Sequence, residues 1–182
     1  MGERSEPADA ELILAVVARD DREAFSRLVV RHQSWVRAVL RRLAKGDHGL
    51  ADDLAQETFL LAWRHLPSFR FDARFTSWLY RIAFNAWLSE TRKRREVLLE
   101  DGADAQPAGE AAPAVGEAER IDLERALATL SDGERAAIAA CYYADLSHAE
   151  AAQAIGIPMG TVKTHILRAK AKLRAKLGEE TR

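Results

Sequence analysis

Residues 146–177 read LSHAEAAQAIGIPMGTVKTHILRAKAKLRAKL, and this stretch decides the fold. It opens on Ser147-His148-Ala149-Glu150, a Ser with Glu three residues later. In that pattern each side chain satisfies an orphan backbone N–H at a helix start. The helix must stop at Gly156, and Ile157-Pro158-Met159-Gly160 then turns the chain into a longer helix. There Val162, Ile166, Ala169, Leu173 and Leu177 recur at threes and fours as a buried stripe. A short helix, a glycine-bearing turn and a longer helix make a helix-turn-helix.

The exposed face of the last helix carries the chemistry. At 100° per residue, Leu167, Lys170 and Arg174 fall within about 40° of Lys163, with Thr164 and Arg168 about 80–140° away. From Pro158 to Leu177 there are six Lys or Arg and no acid. A merely solvated helix mixes acids with bases for i,i+4 pairing. This face therefore suits DNA: the helix start reaches base edges, and bases further along hold phosphates. Lys163, Thr164 and Arg168 lie near the start, whereas Lys172, Arg174 and Lys176 lie over the backbone.

Upstream, Ser131-Asp132-Gly133-Glu134 is another capping box, preceded by a helix marked by Leu123, Leu127 and Leu130. Before that, the 24 residues from Glu96 to Glu119 hold seven acids, three glycines and two prolines. Such a segment buries too little to offset its ordering entropy, and reads as a flexible acidic linker. The chain divides accordingly into a domain over 8–95, a linker over 96–118 and a domain over 119–178.

The first domain is helical as well. Asp21 caps a helix whose stripe is Phe25, Leu28, Val29, His32, Val36, Val39, Leu40 and Leu43. A helix from Leu50 to Leu66 follows, closed by Pro67, and another runs from Arg74 to Arg95. The latter ends in Arg92-Lys93-Arg94-Arg95, which suits the negative end of a helix dipole.

Composition agrees. The 182 residues include 34 Ala and 21 Leu against 9 Val and 7 Ile, an all-α balance. The net charge of −1 conceals segregation: Arg64–Arg95 holds eight bases and two acids, Asp47–Trp63 four acids and no Lys or Arg. Basic blocks separated by acidic ones suggest two polyanion-facing surfaces. One cysteine, Cys141, excludes an intramolecular disulfide, no run of 18 apolar residues can span a membrane, and the acidic start is unlike a signal peptide. These features place the protein in a reducing cytoplasm.

The helix-turn-helix run Leu146–Lys163, continuing to Leu173-Arg174, resembles region 4 of the extracytoplasmic-function (ECF) sigma factors. Ala51-Asp-Asp-Leu-Ala-Gln-Glu-Thr-Phe-Leu-Leu-Ala-Trp63 is similar to the core-polymerase-binding helix of that family. Phe75-Thr-Ser-Trp-Leu-Tyr-Arg-Ile-Ala-Phe-Asn85 is similar to its promoter-melting helix. The resemblance covers residues 10–95 and 119–177, in the family's order. It implies that Asp52, Asp53, Gln56 and Glu57 dock on RNA polymerase core, on its β′ coiled coil, with both β′ and β as partner subunits. It also implies that Trp78 and Asn85 hold a flipped −10 base, an aromatic ring suiting stacking and an amide suiting a base edge. Lys163, Thr164, His165, Leu167, Arg168 and Lys170 fall on the helix that enters the −35 major groove, His165 standing where many relatives carry Arg.

The implied activity is a sigma subunit that brings core to promoter DNA and opens the −10 region, with an anti-sigma factor as a usual partner and no membrane insertion. The alternative is a helix-turn-helix regulator that binds DNA without being a polymerase subunit. The alternating strand pattern of a receiver domain is missing from the sequence. No enzyme, cofactor or metal is expected. The five histidines form no ligand spacing with Cys141, and Asp53 and Glu57 lack a carboxylate-histidine partner helix.

Overall fold

The computed structural model describes residues 8–101, 123 and 125–180. The helices are α1 (Asp9–Arg19), α2 (Arg22–Leu43), α3 (His48–His65), α4 (Phe75–Asp101), α5 (Asp132–Ile138), α6 (His148–Ile155) and α7 (Met159–Glu180). A 3-10 turn, Leu66–Ser68, follows α3, and a π-helical turn, Ala139–Tyr143, follows α5. Residues 125–128 are helical too, and no strand occurs among the described residues.

Local chemistry sets the boundaries. Asp21 accepts from Ala24 N–H at 3.0 Å and Asp47 from Leu50 N–H at 2.9 Å, starting α2 and α3. Both capping boxes of the second half form, Ser131 with Glu134 and Ser147 with Glu150. The α6 helix stops at Gly156, whose φ of 79° lies in the left-handed region that glycine enters without a Cβ penalty.

α4 runs to Asp101 rather than ending at Arg95. The basic run lies inside the helix, and Arg94 pairs with Glu90 one turn back at 3.0 Å. The dipole argument for an end at Arg95 therefore fails. Of the expected linker, 102–118 lie outside the described residues.

The first bundle, α1–α4, has a core of large side chains. Leu28, His32, Val36, Val39, Leu40 and Leu43 of α2 are buried as the stripe predicts, while Phe25 and Val29 are only half-buried. α4 contributes Phe75, Trp78, Leu79, Tyr80, Phe84 and Trp87. Asp9 ties α1 to α2, accepting from Arg31 at 2.6 Å and lying 2.8 Å from His32 Nε2.

The second bundle, α5–α7, is built largely of alanine: Ala136, Ala137, Ala139, Ala140, Ala151, Ala154 and Ala169 are buried. Its largest fully buried side chain is Arg135, which donates to the carbonyls of Leu130 (2.5 Å) and Ala128 (3.5 Å) and pairs with Asp132 (3.3 Å). Burial pulls this guanidinium below its ordinary value, with Asp132 opposing the shift. In the π turn, Ala144 N–H reaches back five residues to Ala139 O at 2.9 Å.

The two bundles are not separate bodies in this structure. Ala136, Ala137, Ala139 and Ala140 join the core of the first bundle. Tyr80, fully buried on α4, donates its hydroxyl to Ala136 O at 2.9 Å, and burial raises the phenol's pKa far above its ordinary value. Arg42 of α2 lies 4.8 Å from the centre of the Tyr143 ring. Arg95 reaches Asp132 at 3.4 Å.

Candidate nucleic-acid and polymerase interfaces

α3 carries the acidic surface. Asp53, Gln56 and Glu57 are exposed, spaced so that they share one outward face. Asp52 departs from them. Its Oδ1 lies 3.3 Å from Arg37 Nε of α2, close enough for an ion pair but misaligned for a hydrogen bond. Of the four residues expected to dock on core, Asp52 is thus the one engaged within the chain. Beside Gln56 runs a groove of about 380 Å³ between α2 and α3, lined by Phe25, Val29, Arg37, Phe59, Leu60 and Trp63. Leu60 is 61% exposed, and the half-buried positions of the α2 stripe open into this groove.

α4 carries the second surface. Asn85 is exposed, but Trp78 is buried. The indole stacks on Phe75 at 5.6 Å and leans on Phe69 at 5.3 Å. An aromatic at helical spacing has gone to the core here, so only Asn85 of this pair faces solvent. Sequence reasoning passed over Phe71, in the loop before α4. It is 47% exposed, packs on Phe69 at 4.9 Å, and sits at a φ of +58°, uncommon for a side chain with a Cβ. No periodicity marks such a position. Arg74, Ser77, Arg81 and Asn85 follow at spacings of three, four and four, one stripe along α4.

The start of this stripe is held by the second bundle. Arg74 Nε and Nη2 donate to Glu150 Oε1 and Oε2 at 2.8 and 3.1 Å, and Ser77 Oγ donates to Oε1 at 2.9 Å. Arg74 Nη2 also reaches Asp145 O at 2.6 Å. The Arg74 fork holds the Glu150 carboxyl down to about 2, with the Ser147 cap helping, and the arginine's own pKa is raised in return.

The third surface is α7. Lys163, Thr164, Leu167 and Arg168 are exposed, Leu167 at 71%. Thr164 Oγ1 donates to Gly160 O at 2.9 Å. The other residues expected on this face turn toward their own bundle. His165 is half-buried against Gly133, where an added Cβ would come within 2.9 Å of the imidazole, and its Nδ1 is buried without a hydrogen-bond partner. Lys170 Nζ sits 4.9 Å from the centre of the Tyr142 ring. Lys172, expected over phosphate, bonds Glu134 at 2.7 Å instead. Burial alone would raise the Glu134 carboxyl, but Lys172 and the Ser131 cap outweigh it and leave the pKa lowered.

Among the described residues no group of three His, Cys, Asp or Glu is placed to hold a metal ion, and no helix is long and apolar enough to cross a membrane.

Residues 28–97 match the family described as Sigma-70 region 2, and residues 120–173 match Sigma-70, region 4. The chain is 37% identical over 177 residues to the ECF RNA polymerase sigma factor SigM of Mycobacterium tuberculosis, covering 97% of this chain and 88% of the relative. To the ECF RNA polymerase sigma-E factor of Escherichia coli K12 it is 32% identical over 179 residues, 91% of this chain and 93% of that protein. Among solved structures it resembles the sigma factor RpoE bound to the anti-sigma factor NepR from Bartonella quintana. There the TM-score is 0.75 and the identity 30%, over 85% of this chain and 96% of that one. It also resembles CnrH in complex with the cytosolic domain of CnrY, with a TM-score of 0.71 and 27% identity over 95% and 99%.

Proposed function

The chain belongs to the ECF sigma factors of the sigma-70 family, subunits that join RNA polymerase core and direct it to promoters, and from that premise we propose how its surfaces divide the work. Asp53, Gln56 and Glu57 of α3 meet basic groups of core, and the apolar groove beside them takes up the partner's side chains. Asp52, already facing Arg37, orients α3 on α2 rather than leading the contact. On α4, Asn85 reads an unpaired −10 base. Phe71 takes the stacking role that Trp78, packed between Phe69 and Phe75, is not free to play. On α7, Lys163, Thr164, Leu167 and Arg168 enter the −35 groove, while His165 and Lys170 brace the helix. We further propose the domain limits 8–95 and 119–178, a cytoplasmic location beside the polymerase, and no reaction of the chain's own.

The observation that carries this reading is that a region-2 match and a region-4 match occur in order in one chain, with exposed acids on the first and an exposed acid-free basic face on the second. A DNA-binding regulator needs only the second. Because the solved relatives are bound to NepR or to the cytosolic domain of CnrY, we read an anti-sigma factor as a further partner. The test is transcription from a randomised promoter library with purified core. Enrichment of a two-part promoter, lost with Asn85→Ala at its −10 part and altered by Arg168→Ala at its −35 part, is expected. Enrichment of a −35 part alone would favour a plain DNA-binding protein.

A further inference from the structure

Glu150 is held by groups that belong to the proposed −10 surface. All three side-chain donors to it come from the start of α4, and the acceptor comes from the opposite bundle. A planar guanidinium fork with a hydroxyl beside it suits two oxygens of a carboxylate or of a phosphodiester equally well. Arg74 and Ser77 also begin the stripe that continues through Arg81 to Asn85, so a strand laid on Asn85 passes them.

The packed arrangement is incompatible with a promoter. Elements centred at −10 and −35 lie about 25 base pairs apart, hence about 85 Å along the helix axis at about 3.4 Å per pair. Here α6, the first helix of the −35 reader, is hydrogen-bonded to α4. The bundles must part before both elements are engaged, and parting strips Arg74 and Ser77 of their carboxylate.

We propose that Arg74 and Ser77 form a seat for one backbone phosphate of the melted promoter strand, and that Glu150 fills this seat while the bundles are packed together. The same donors then serve two exclusive states, closing the chain on itself or gripping DNA. The inference rests on the reading of α4 as the −10 surface. The mimicry is of charge and shape: a carboxylate stands where a phosphate will, so the DNA-free chain does not leave the seat open to stray polyanions.

The experiment uses the full chain, alone and in holoenzyme, with a fluorescein-labelled random-sequence single strand of about 12 nucleotides. Glu150→Gln keeps the capping box, since Gln also serves at that position, and removes the competitor. Free Glu150→Gln should show a larger radius of gyration in X-ray scattering and bind the strand about threefold more tightly, within what a half-exposed ion pair can withhold. Arg74→Gln should expand the chain equally but bind no more tightly than wild type. In holoenzyme Arg74→Gln should lower the slope of log K against log salt by about 0.7, the share of one single-strand phosphate, and Glu150→Gln should leave it unchanged.

If both variants expand and both bind more tightly, parting the bundles merely uncovers α7 and the seat is refuted. Neither variant expanding would refute the closure. Asn85→Ala separates this from the wider reading. Should it abolish promoter opening while Arg74→Gln leaves the slope intact, α4 is the −10 surface without this seat. Should Asn85→Ala be silent while Arg74→Gln lowers the slope, the seat stands and the base-reading assignment falls.

Discussion

α4 and α7 both face DNA in the proposed reading, yet they are built in opposite ways. α7 keeps Lys163, Thr164, Leu167 and Arg168 in solvent, and its bundle is fixed behind it by polar staples among alanines, namely Arg135 on backbone carbonyls and Lys172 on Glu134. α4 is rooted in a large aromatic core, and the donors at its start are occupied by the other bundle. One helix is backed by small side chains and open at its start; the other is backed by large aromatic ones and covered at its start. The difference teaches that a helix whose function lies on an open face can tolerate a core of small side chains, provided polar staples such as Arg135 reinforce it.

The largest expected effect tests that proviso. Arg135→Ala leaves the Leu130 carbonyl unpaired and opens a cavity among side chains too small to fill it. It should cost the second bundle about 3–5 kcal/mol, the range for breaking a buried charged network, read as an earlier transition in urea. A loss under about 1 kcal/mol would mean that the alanine packing suffices alone.

Next comes the face itself. Arg168→Ala should cost about 1–3 kcal/mol at one −35 position and relax preference there, whereas Lys176→Ala should weaken every variant alike and reduce the salt slope by about one. A panel of single-base −35 variants at two salt concentrations reads both. Lys172 sharpens the contrast: Lys172→Met should lower stability by about 1–2 kcal/mol by stranding Glu134 and leave the salt slope unaltered. A reduced slope would restore Lys172 to the phosphate contacts.

On the first bundle, Asp53→Lys with Glu57→Lys should weaken core binding about tenfold through lost charge complementarity without changing helicity. Asp52→Asn should do less, because Arg37 already holds that side chain. Equal losses in a pull-down at moderate salt would return Asp52 to the contact.

The smallest effect concerns acid. The Glu150 carboxyl titrates near 2 in the folded chain against an ordinary 4.5, so its contact contributes fully above about pH 4.5 and is lost as pH falls toward 2. Arg74 is half exposed, and solvent screening limits the contribution to under about 1 kcal/mol. The wild-type radius of gyration should therefore rise between pH 4.5 and 3 relative to that of Glu150→Gln, which should show no such step. Parallel curves would remove Glu150 from the latch.

The sequence was most legible where function and local structure share one helix. The capping boxes at Ser131 and Ser147, the stop at Gly156 and the stripe of α7 are all encoded within a few residues, and the all-α class followed from them. What lay hidden were partners distant in the chain. Arg74 and Glu150 are separated by 75 intervening residues, and no periodicity announces a contact between bundles. Lys170 and Lys172 lie on nearly opposite sides of the wheel, yet Tyr142 and Glu134 claim both side chains. Trp78 was ambiguous in principle, since stacking on a base and packing in a core ask for the same ring. Phe71 could not be found by pattern, because a left-handed backbone at an aromatic residue is not what sequence rules expect.

The π-helical turn at Ala139–Tyr143 has a geometric consequence. One residue beyond the α-helical repeat advances the phase of everything downstream by about 100°. With the extra residue, Tyr142 points to Lys170 and Tyr143 to Arg42. Deleting a single residue there would restore a plain helix and shift the register of α5 against the helix-turn-helix it packs on. The turn is thus a vernier between α5 and the helix-turn-helix, setting which of two neighbouring tyrosines meets which cation.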